Sequence, residues 1–541
     1  MTIEKQQAKA TEATLNRIFT IPESPETTLG KIERQISENL GGFLNEHIVA
    51  LEKPLTEIEQ DFSGANIPEQ PSFVSDHTQH LLDKLVAQSV HTASPSFIGH
   101  MTSALPYFVL PLSKIMVGLN QNLVKIETSK AFTPLERQVL GMMHNLVYKQ
   151  ADDFYDAHMH SRTHALGAFC SGGTIANLTA LWVARNNAFK AQGSFKGIAA
   201  EGLHKALAYY GYDDAVILVS ERGHYSIKKS ADVLGLGRDN VIAVATDSEQ
   251  KIDIEQLRKC CESLSKQNKK IMAIVGIAGT TETGKVDPLA EMAEVARQYQ
   301  AHFHVDAAWG GATLLSNNYR HLLAGIDEAD SVTIDAHKQM YIPMGAGIVV
   351  FKDAEAANII KHHAEYILRK GSKDLGSHTL EGSRPGMALL LYASLHIISR
   401  PGYELLIDKG IEKAHYFAQL IAQHDDFELM TAPELCLLTY RYVPAWLQQK
   451  LKNKNTPLAT EELINAKLDR LTKVIQKQQR ESGQSFVSRT RINMERYNNR
   501  LVVVFRVVLA NPLTSKEVLQ EILNEQVAIA EQHQHLLADF T

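Results

Sequence analysis

The stretch HVDAAWGG (304–311), followed by SVTIDAHKQMYIPMGAG (331–347), decides how this chain is read. One unalternated apolar run ends on Asp306, and a second ends three residues before Lys338. Ligands of open α/β sheets gather at the carboxyl ends of the strands. The separation of the two residues (338 − 306 = 32) leaves room for one helix and one strand, which predicts neighbouring strand ends. Each residue alone also has a plain explanation. An Asp after a strand often caps the next helix, and a lone Lys before a Pro-Gly-rich loop is usually solvated.

Outward from this centre the same texture continues as AVILVS (215–220), VIAVA (241–245), IMAIVGIA (271–278), AHFHVDAA (301–308) and AGIVVF (346–351). Runs of this length without polar alternation suit strands covered on both faces, hence a largely parallel sheet surrounded by helices. Upstream, Thr133-Pro134-Leu135-Glu136 predicts a helix start, with Thr as cap and Glu returning the hydrogen bond. Residues 1–75 are polar and Pro-punctuated and read as an arm that packs on something else. After Pro401 come a helix, the alternating runs CLLTYRYV (436–443) and LVVVFRVVL (501–509), and a terminal helix from Thr514. KNKNTP (452–457) reads as an exposed loop. The expected division is an N-terminal arm and helical segment over 1–130, a large α/β domain over 131–400, and a small α+β domain over 401–541.

The 541 residues are 44% hydrophobic and 21% charged, which excludes collagen-like and wholly disordered chains. Net charge is −6, and no basic tract with interleaved aromatics suggests nucleic acid as a partner. The first residues lack an apolar signal core, and the longest apolar stretch, 387–398, is too short for a bilayer, which needs ~20 residues. It reads as a buried helix. Cys170, Cys260, Cys261 and Cys436 show no C-x-x-C spacing, so reduced thiols in a cytoplasmic protein are expected. His158, His160 and His164 form H-x-H-x-x-x-H, but zinc needs three or four convergent ligands, and no metal is expected. No G-x-G-x-x-G opens a βαβ unit, which disfavours a nicotinamide enzyme.

Four pieces carry the chemistry: SGGTIANL (171–178), ERGHYS (221–226), HVDAAWGG and DAHKQM. Gly-Gly-Thr opening a helix can cradle a phosphate on free N–H groups, or it can be a tight strand-to-helix turn. Together the pieces fit one aldehyde cofactor. Such a cofactor needs a lysine amine, a buried carboxylate at its pyridine nitrogen, a helix N-terminus for its phosphate and a flat group against its ring. Lys338, Asp306, Gly173 with Thr174, and His224 fill these roles.

With these motifs the chain resembles the pyridoxal-phosphate-dependent amino-acid decarboxylases of group II, which include glutamate, aspartate and aromatic-amino-acid decarboxylases. The resemblance runs from SPSFIGHMTSALP (94–106) to FRVVLANP (505–512), and the pair HVDAAWGG and DAHK is specific for the group. It implies the type I aminotransferase-like fold, a cytoplasmic homodimer with a shared site, and pyridoxal 5'-phosphate on Lys338. It further implies Asp306 at the pyridine nitrogen, His224 on one ring face and Ala308 on the other. Gly173, Thr174 and His337 would hold the phosphate, with Ser383 of GSRPG (382–386) reaching it from the second subunit. Thr280 in GTTETG (279–284) matches a position near the ring hydroxyl. Arg506 matches an arginine for a substrate carboxylate, and His100 and Thr102 match substrate-side positions. The implied reaction is α-decarboxylation of an acidic amino acid, aspartate to β-alanine, with glutamate to 4-aminobutyrate as the alternative. A carbon–carbon lyase, kept open by GSRPG, an aromatic-amino-acid decarboxylase and an aminotransferase are the rivals with the same cofactor. The chain departs from the pattern in one place. The family's loop tyrosine is missing from GSKDLGSHTLEGS (371–383), Tyr366 lies too early, and His378 is the candidate proton donor in its place.

Overall fold

The computed structural model describes residues 28–45, 48–362, 372–453 and 456–540. The chain divides into two compact units. The first comprises Met1–His100, Pro457–Arg489 and Leu513–Thr541, and the second Met101–Thr456 and Thr490–Pro512.

The second unit holds a seven-stranded sheet built from β1 (Gly167–Cys170), β2 (Asp214–Ser220), β3 (Val241–Val244), β4 (Lys269–Ile277), β5 (His302–Asp306), β6 (Ser331–Asp335) and β7 (Gly347–Phe351). Their order is β1-β7-β6-β5-β4-β2-β3. Strands β2 to β6 pair in parallel, and β7 runs antiparallel to both β6 and β1. All six apolar runs therefore form strands. Their lack of alternation has a direct cause in β2. Val216 and Leu218 enter one buried cluster while Ala215, Ile217 and Val219 enter another, so successive side chains meet a hydrophobic layer on each face. A four-stranded sheet adds β8 (Phe427–Thr431), β9 (Leu437–Tyr442), β10 (Ser488–Met494) and β11 (Arg500–Val508), in the order β10-β11-β9-β8.

In the first unit, helices Leu458–Ser482 and Lys516–Gln532 pack together, with Gln479 donating to Glu525 at 3.1 Å and Ser485 to the same carboxylate at 2.5 Å. Phe97 stacks on Phe486 with ring centroids 5.0 Å apart. Gly483, at φ 71°, lies so close to the carbonyl of Ala50 that any Cβ would collide with it. The described part of the arm carries exposed Leu55, Phe62, Ile67, Phe73 and Val74.

Several expectations differ from this architecture. The boundary expected at 400/401 falls inside the helix Ser399–Gln423, and that expected at 130/131 immediately precedes Phe132–Tyr148 within the second unit. The residues beyond 401 are shared out: strands β8, β9 and β11 belong to the second unit, and the two long helices to the first. Between Asp306 and β6 there is no α-helix, only 3₁₀ turns at Gly310–Leu315, Arg320–Leu323 and Ile326–Glu328. Gly310 and Gly311 approach the Ala278 carbonyl and Ile334 too closely for a side chain, and glycine supports a helix poorly. The helix Phe132–Tyr148 starts one residue before Thr133 and has no side-chain cap. Thr133 instead meets the Ser129 hydroxyl at 2.6 Å, and Glu136 is buried against Arg384. A buried guanidinium claims the carboxylate more strongly than a helix end does. The stretch 387–398 forms the helix Ala388–Ile397, but it buries only one side, through Ala388, Leu390, Leu391 and Ser394.

Candidate active site

Five strand ends on one edge of the seven-stranded sheet deliver the expected residues. Asp306 closes β5 and Asp335 closes β6, three residues before Lys338. Chain leaving β1 reaches Gly173, chain leaving β2 reaches His224, and chain leaving β4 reaches Thr280. Because β1 and β6 both run opposite to β7, all five ends point the same way.

At the first of these ends, the helix Gly173–Ala188 begins without any side-chain cap. A Cβ on Gly173 would stand 2.7 Å from the Asp335 carboxylate, and one on Gly347 would strike the backbone of Gly172. The glycines therefore let β6, β7 and the helix start converge. The half-buried Thr174 follows on the first turn. Asp335 holds Lys338 Nζ at 3.2 Å and lies 3.6 Å from His337 Nε2. Its second oxygen, Oδ1, is buried and has no hydrogen-bond partner among the described residues. His337 Nδ1 faces the Ala346 carbonyl at 3.0 Å, and burial keeps this histidine below its ordinary pKa. Tyr341, next turn on from Lys338, adopts φ 55° and anchors its hydroxyl on the Ala510 carbonyl at 2.8 Å. A bulky residue holds that backbone region only where its surroundings enforce it.

Asp306 is buried, and each of its oxygens accepts one hydrogen bond from the protein. Its Oδ2 accepts from Asn177 Nδ2 at 2.9 Å and its Oδ1 from the Ala308 backbone N–H at 3.2 Å. The same Asn177 amide nitrogen lies 3.1 Å from Ser226 Oγ, which in turn lies 2.8 Å from His224 Nδ1. His224 caps the helix Tyr225–Val233 and accepts from the Ser226 N–H. One hydrogen-bonded network thus orients both the carboxylate and the ring expected to bracket the cofactor. Burial lowers the His224 pKa, and the Asp306 charge pulls the other way.

Thr280 is buried, but its hydroxyl is held within its own turn, 2.7 Å from Thr283 Oγ1 and accepting from Lys285 N at 3.0 Å. Arg506 sits in β11, almost wholly buried, with its Nε donating to the Thr281 carbonyl at 2.5 Å. Burial draws its pKa down to about 10, against the pull of Glu282. Glu282, whose Oε2 is buried without a hydrogen-bond partner among the described residues, also acts on His224 through space. It is the protein carboxylate that a purely structural role for Arg506 requires.

Other expected residues lie elsewhere. Ser383 is exposed and accepts from Asn122 Nδ2 at 2.9 Å, while Glu381, two residues earlier, accepts from the Ser171 N–H at 2.9 Å. His100 ends the first segment of the first unit and is exposed, whereas Thr102 is half-buried in the second. His378 is buried beside Ser377 and Asn358, lining a small cavity with Glu136 and Arg137 rather than joining the strand-end cluster. Tyr366 lies outside the described residues. His158 meets the Phe154 carbonyl and His164 the Ser161 hydroxyl, and no group of ligands fit for a metal exists among the described residues.

Asn177, Ser226, His304, Asp335 and Glu282 were not singled out from sequence. Asn177 lies inside the quoted SGGTIANL, but nothing local marks an Asn on a helix as the partner of a carboxylate 129 residues away.

These residues fit pyridoxal phosphate. The uncapped helix start, the glycine cradle and the orphaned Asp335 oxygen beside a partly accessible lysine are features that the protein's own groups leave incomplete. Comparison with known proteins agrees. The model of the pyridoxal-dependent decarboxylase conserved domain matches residues 57–443. An aspartate 1-decarboxylase of Aliivibrio fischeri is 64% identical over 533 residues, covering 98% of this chain and 96% of that protein. Mouse cysteine sulfinic acid decarboxylase is 27% identical, covering 82% of this chain and 83% of its own length. The crystal structure of mouse CSAD superposes with a TM-score of 0.78 at 24% identity, over 92% of this chain and 99% of that one, a likeness of fold. With the family model matched over most of the chain and the 64% identical relative covered almost end to end, the chain belongs to the pyridoxal-dependent decarboxylase family.

Proposed function

We propose that this chain removes the α-carboxyl group of L-aspartate as carbon dioxide and replaces it with a proton, giving β-alanine. The observation that carries the substrate class is Arg506, a guanidinium buried in the apolar strand β11 with its plane oriented by the Thr281 carbonyl. A guanidinium in this position can offer a substrate side-chain carboxylate two parallel hydrogen bonds, in competition with the protein's own Glu282. The 64% identical aspartate 1-decarboxylase favours aspartate over glutamate, a choice of one methylene that is worth only ~1–3 kcal/mol in a pocket.

Pyridoxal 5'-phosphate, when bound, supplies the electron sink into which the bond at the substrate α-carbon breaks. The chain's own residues do the rest. Gly173, Thr174 and His337 would hold the phosphate at the helix start, and Lys338 would offer its amine to the cofactor aldehyde. Asp306, held by Asn177 and Ala308, would keep the pyridine nitrogen protonated. His224 and Ala308 would hold the ring, and Thr280 would lie near its hydroxyl. Thr102, in the second unit, would lie on the substrate side.

Assembly as a cytoplasmic homodimer, with Ser383 reaching the partner's phosphate site, completes this reading. No helix among the described residues is long and apolar enough to cross a membrane. Helix Val109–Leu119 packs on Ala388–Ile397 and leaves Tyr107, Leu110, Ile115, Val117 and Ile397 exposed, an apolar face that a second copy would cover.

Carbon dioxide release from L-aspartate, L-glutamate, cysteine sulfinate, tyrosine and DOPA tests the proposal. Aspartate should be preferred, and Arg506→Met should abolish turnover of the acidic substrates. Preference for tyrosine or DOPA, or full activity of the Met variant on aspartate, defeats it.

A further inference from the structure

Asp306 does not end its hydrogen-bonded connections at Asn177. Asn177 Oδ1 lies 3.0 Å from His304 Nε2, and His304 Nδ1 lies 2.9 Å from Ser331 Oγ. Ser331 Oγ lies 2.7 Å from His302 Nε2. The outer ring, His302, lines a cavity of about 370 Å³ on the opposite edge of the sheet, together with Asp330, Lys352 and Asp353. Asp330 stands 3.9 Å from His302 Nδ1. Asn177, His304 and Ser331 are all fully or almost fully buried.

Elementary donor and acceptor rules give this chain a direction. A carboxylate only accepts, so Asn177 turns its amide nitrogen to Asp306 and its carbonyl to His304. His304 must then carry its proton on Nε2. Burial draws its pKa down to about 4, so the ring is neutral and Nδ1 holds a lone pair. Two groups face that lone pair: the Ser331 hydroxyl at 2.9 Å and the Ser331 carbonyl at 3.2 Å. Only the hydroxyl can donate. Its proton therefore goes inward to His304, and its oxygen accepts from His302 Nε2–H.

We infer that the Ser331 hydroxyl is a positioning group for the cofactor, fixing the His304 tautomer and thereby the Asn177 amide that holds Asp306. This rests on the reading of Asp306 as the partner of the pyridine nitrogen. Without the hydroxyl, Nδ1 would face a carbonyl alone and the proton would move to that nitrogen. The bare Nε2 would then oppose the Asn177 carbonyl, and turning the amide would set its oxygen against the Asp306 carboxylate. Either way a buried acceptor loses its donor.

The test uses protein labelled with ¹⁵N at histidine and free of cofactor, with His304 resonances assigned by their loss in His304→Gln. Wild type should show His304 protonated on Nε2. Ser331→Ala, a small change at a buried site, should move the proton to Nδ1, and Ser331→Thr should restore it. His302→Phe removes the outer donor but not the hydroxyl, so it should leave the tautomer in place. Cofactor affinity, followed by fluorescence, should fall about five- to tenfold in Ser331→Ala, the scale of one lost hydrogen bond, and recover in Ser331→Thr. An Ala variant that keeps the Nε2 proton, or keeps full cofactor affinity, overturns the inference, as does a tautomer change in His302→Phe. Unchanged cofactor affinity in Asp306→Ala would instead overturn the assignment of Asp306. The tautomer measurement, made without cofactor, separates the two failures.

Discussion

Glu136 and Arg384, 248 residues apart in the chain, form a two-pronged ion pair buried in the second unit. It ties the helix Phe132–Tyr148 to the GSRPG segment, and the preceding Glu381 reaches the Ser171 N–H beside the glycine cradle. The glycine cradle is thereby braced by a contact that no local motif announces.

Removing one partner of this pair leaves the other charge buried and uncompensated. Glu136→Ala or Arg384→Ala alone should cost ~3–5 kcal/mol in urea unfolding. A double replacement by apolar residues of similar volume should be less harmful than either single change. A single variant with an unchanged midpoint would show that the pair carries no weight.

Lys338 is the expected point of covalent attachment. Borohydride reduction of the cofactor-loaded protein, followed by peptide mapping, should place the adduct on Lys338, and Lys338→Ala should yield none. An adduct on Lys285 or Lys352 would contradict the assignment.

Asp306→Asn keeps the shape of the side chain but removes the counter-charge. Turnover should fall by several orders of magnitude even in samples that retain cofactor, because the electron sink depends on a protonated ring nitrogen. Single-turnover carbon dioxide release measures this, and near-normal rates in the Asn variant are incompatible with the role given to Asp306.

Acid should destabilise the fold through two buried histidines. Burial draws both His144 and His304 from 6.5 to about 4, so the unfolded chain takes up protons that the folded one refuses. Stability is then full above about pH 6.5 and falls as pH drops toward 4, by an amount on the order of 3 kcal/mol for each group. His144→Phe should flatten the pH dependence of the urea midpoint across that window. An equally steep decline in the variant would assign the effect to other groups.

Six of the seven strands of the central sheet, and most of the residues at their ends, were legible from the amino-acid order alone. Each of these six announces itself by a run of adjacent β-branched or apolar residues, because a strand buried on both faces needs no polar alternation. Asp306, Lys338 and His224 follow from where those runs stop, and the Gly173-Thr174 turn from the Gly-Gly-Thr motif itself. The short β1 escaped because four residues, two of them Gly and Ala, make no run.

The remainder came from how distant segments pack. Glu136 looked like a helix-capping residue and became an ion-pair partner, because the alternative for Arg384 was a buried charge without one. The helices Leu458–Ser482 and Lys516–Gln532 looked like part of a C-terminal cap and joined the N-terminal residues in the first unit. Asn177, Ser226, His304 and Ser331 gave no signal, since their partners lie on other strands and helices. A buried polar atom must find a hydrogen bond wherever the fold supplies one, and that place is set by strand order and register, not by neighbours in the chain.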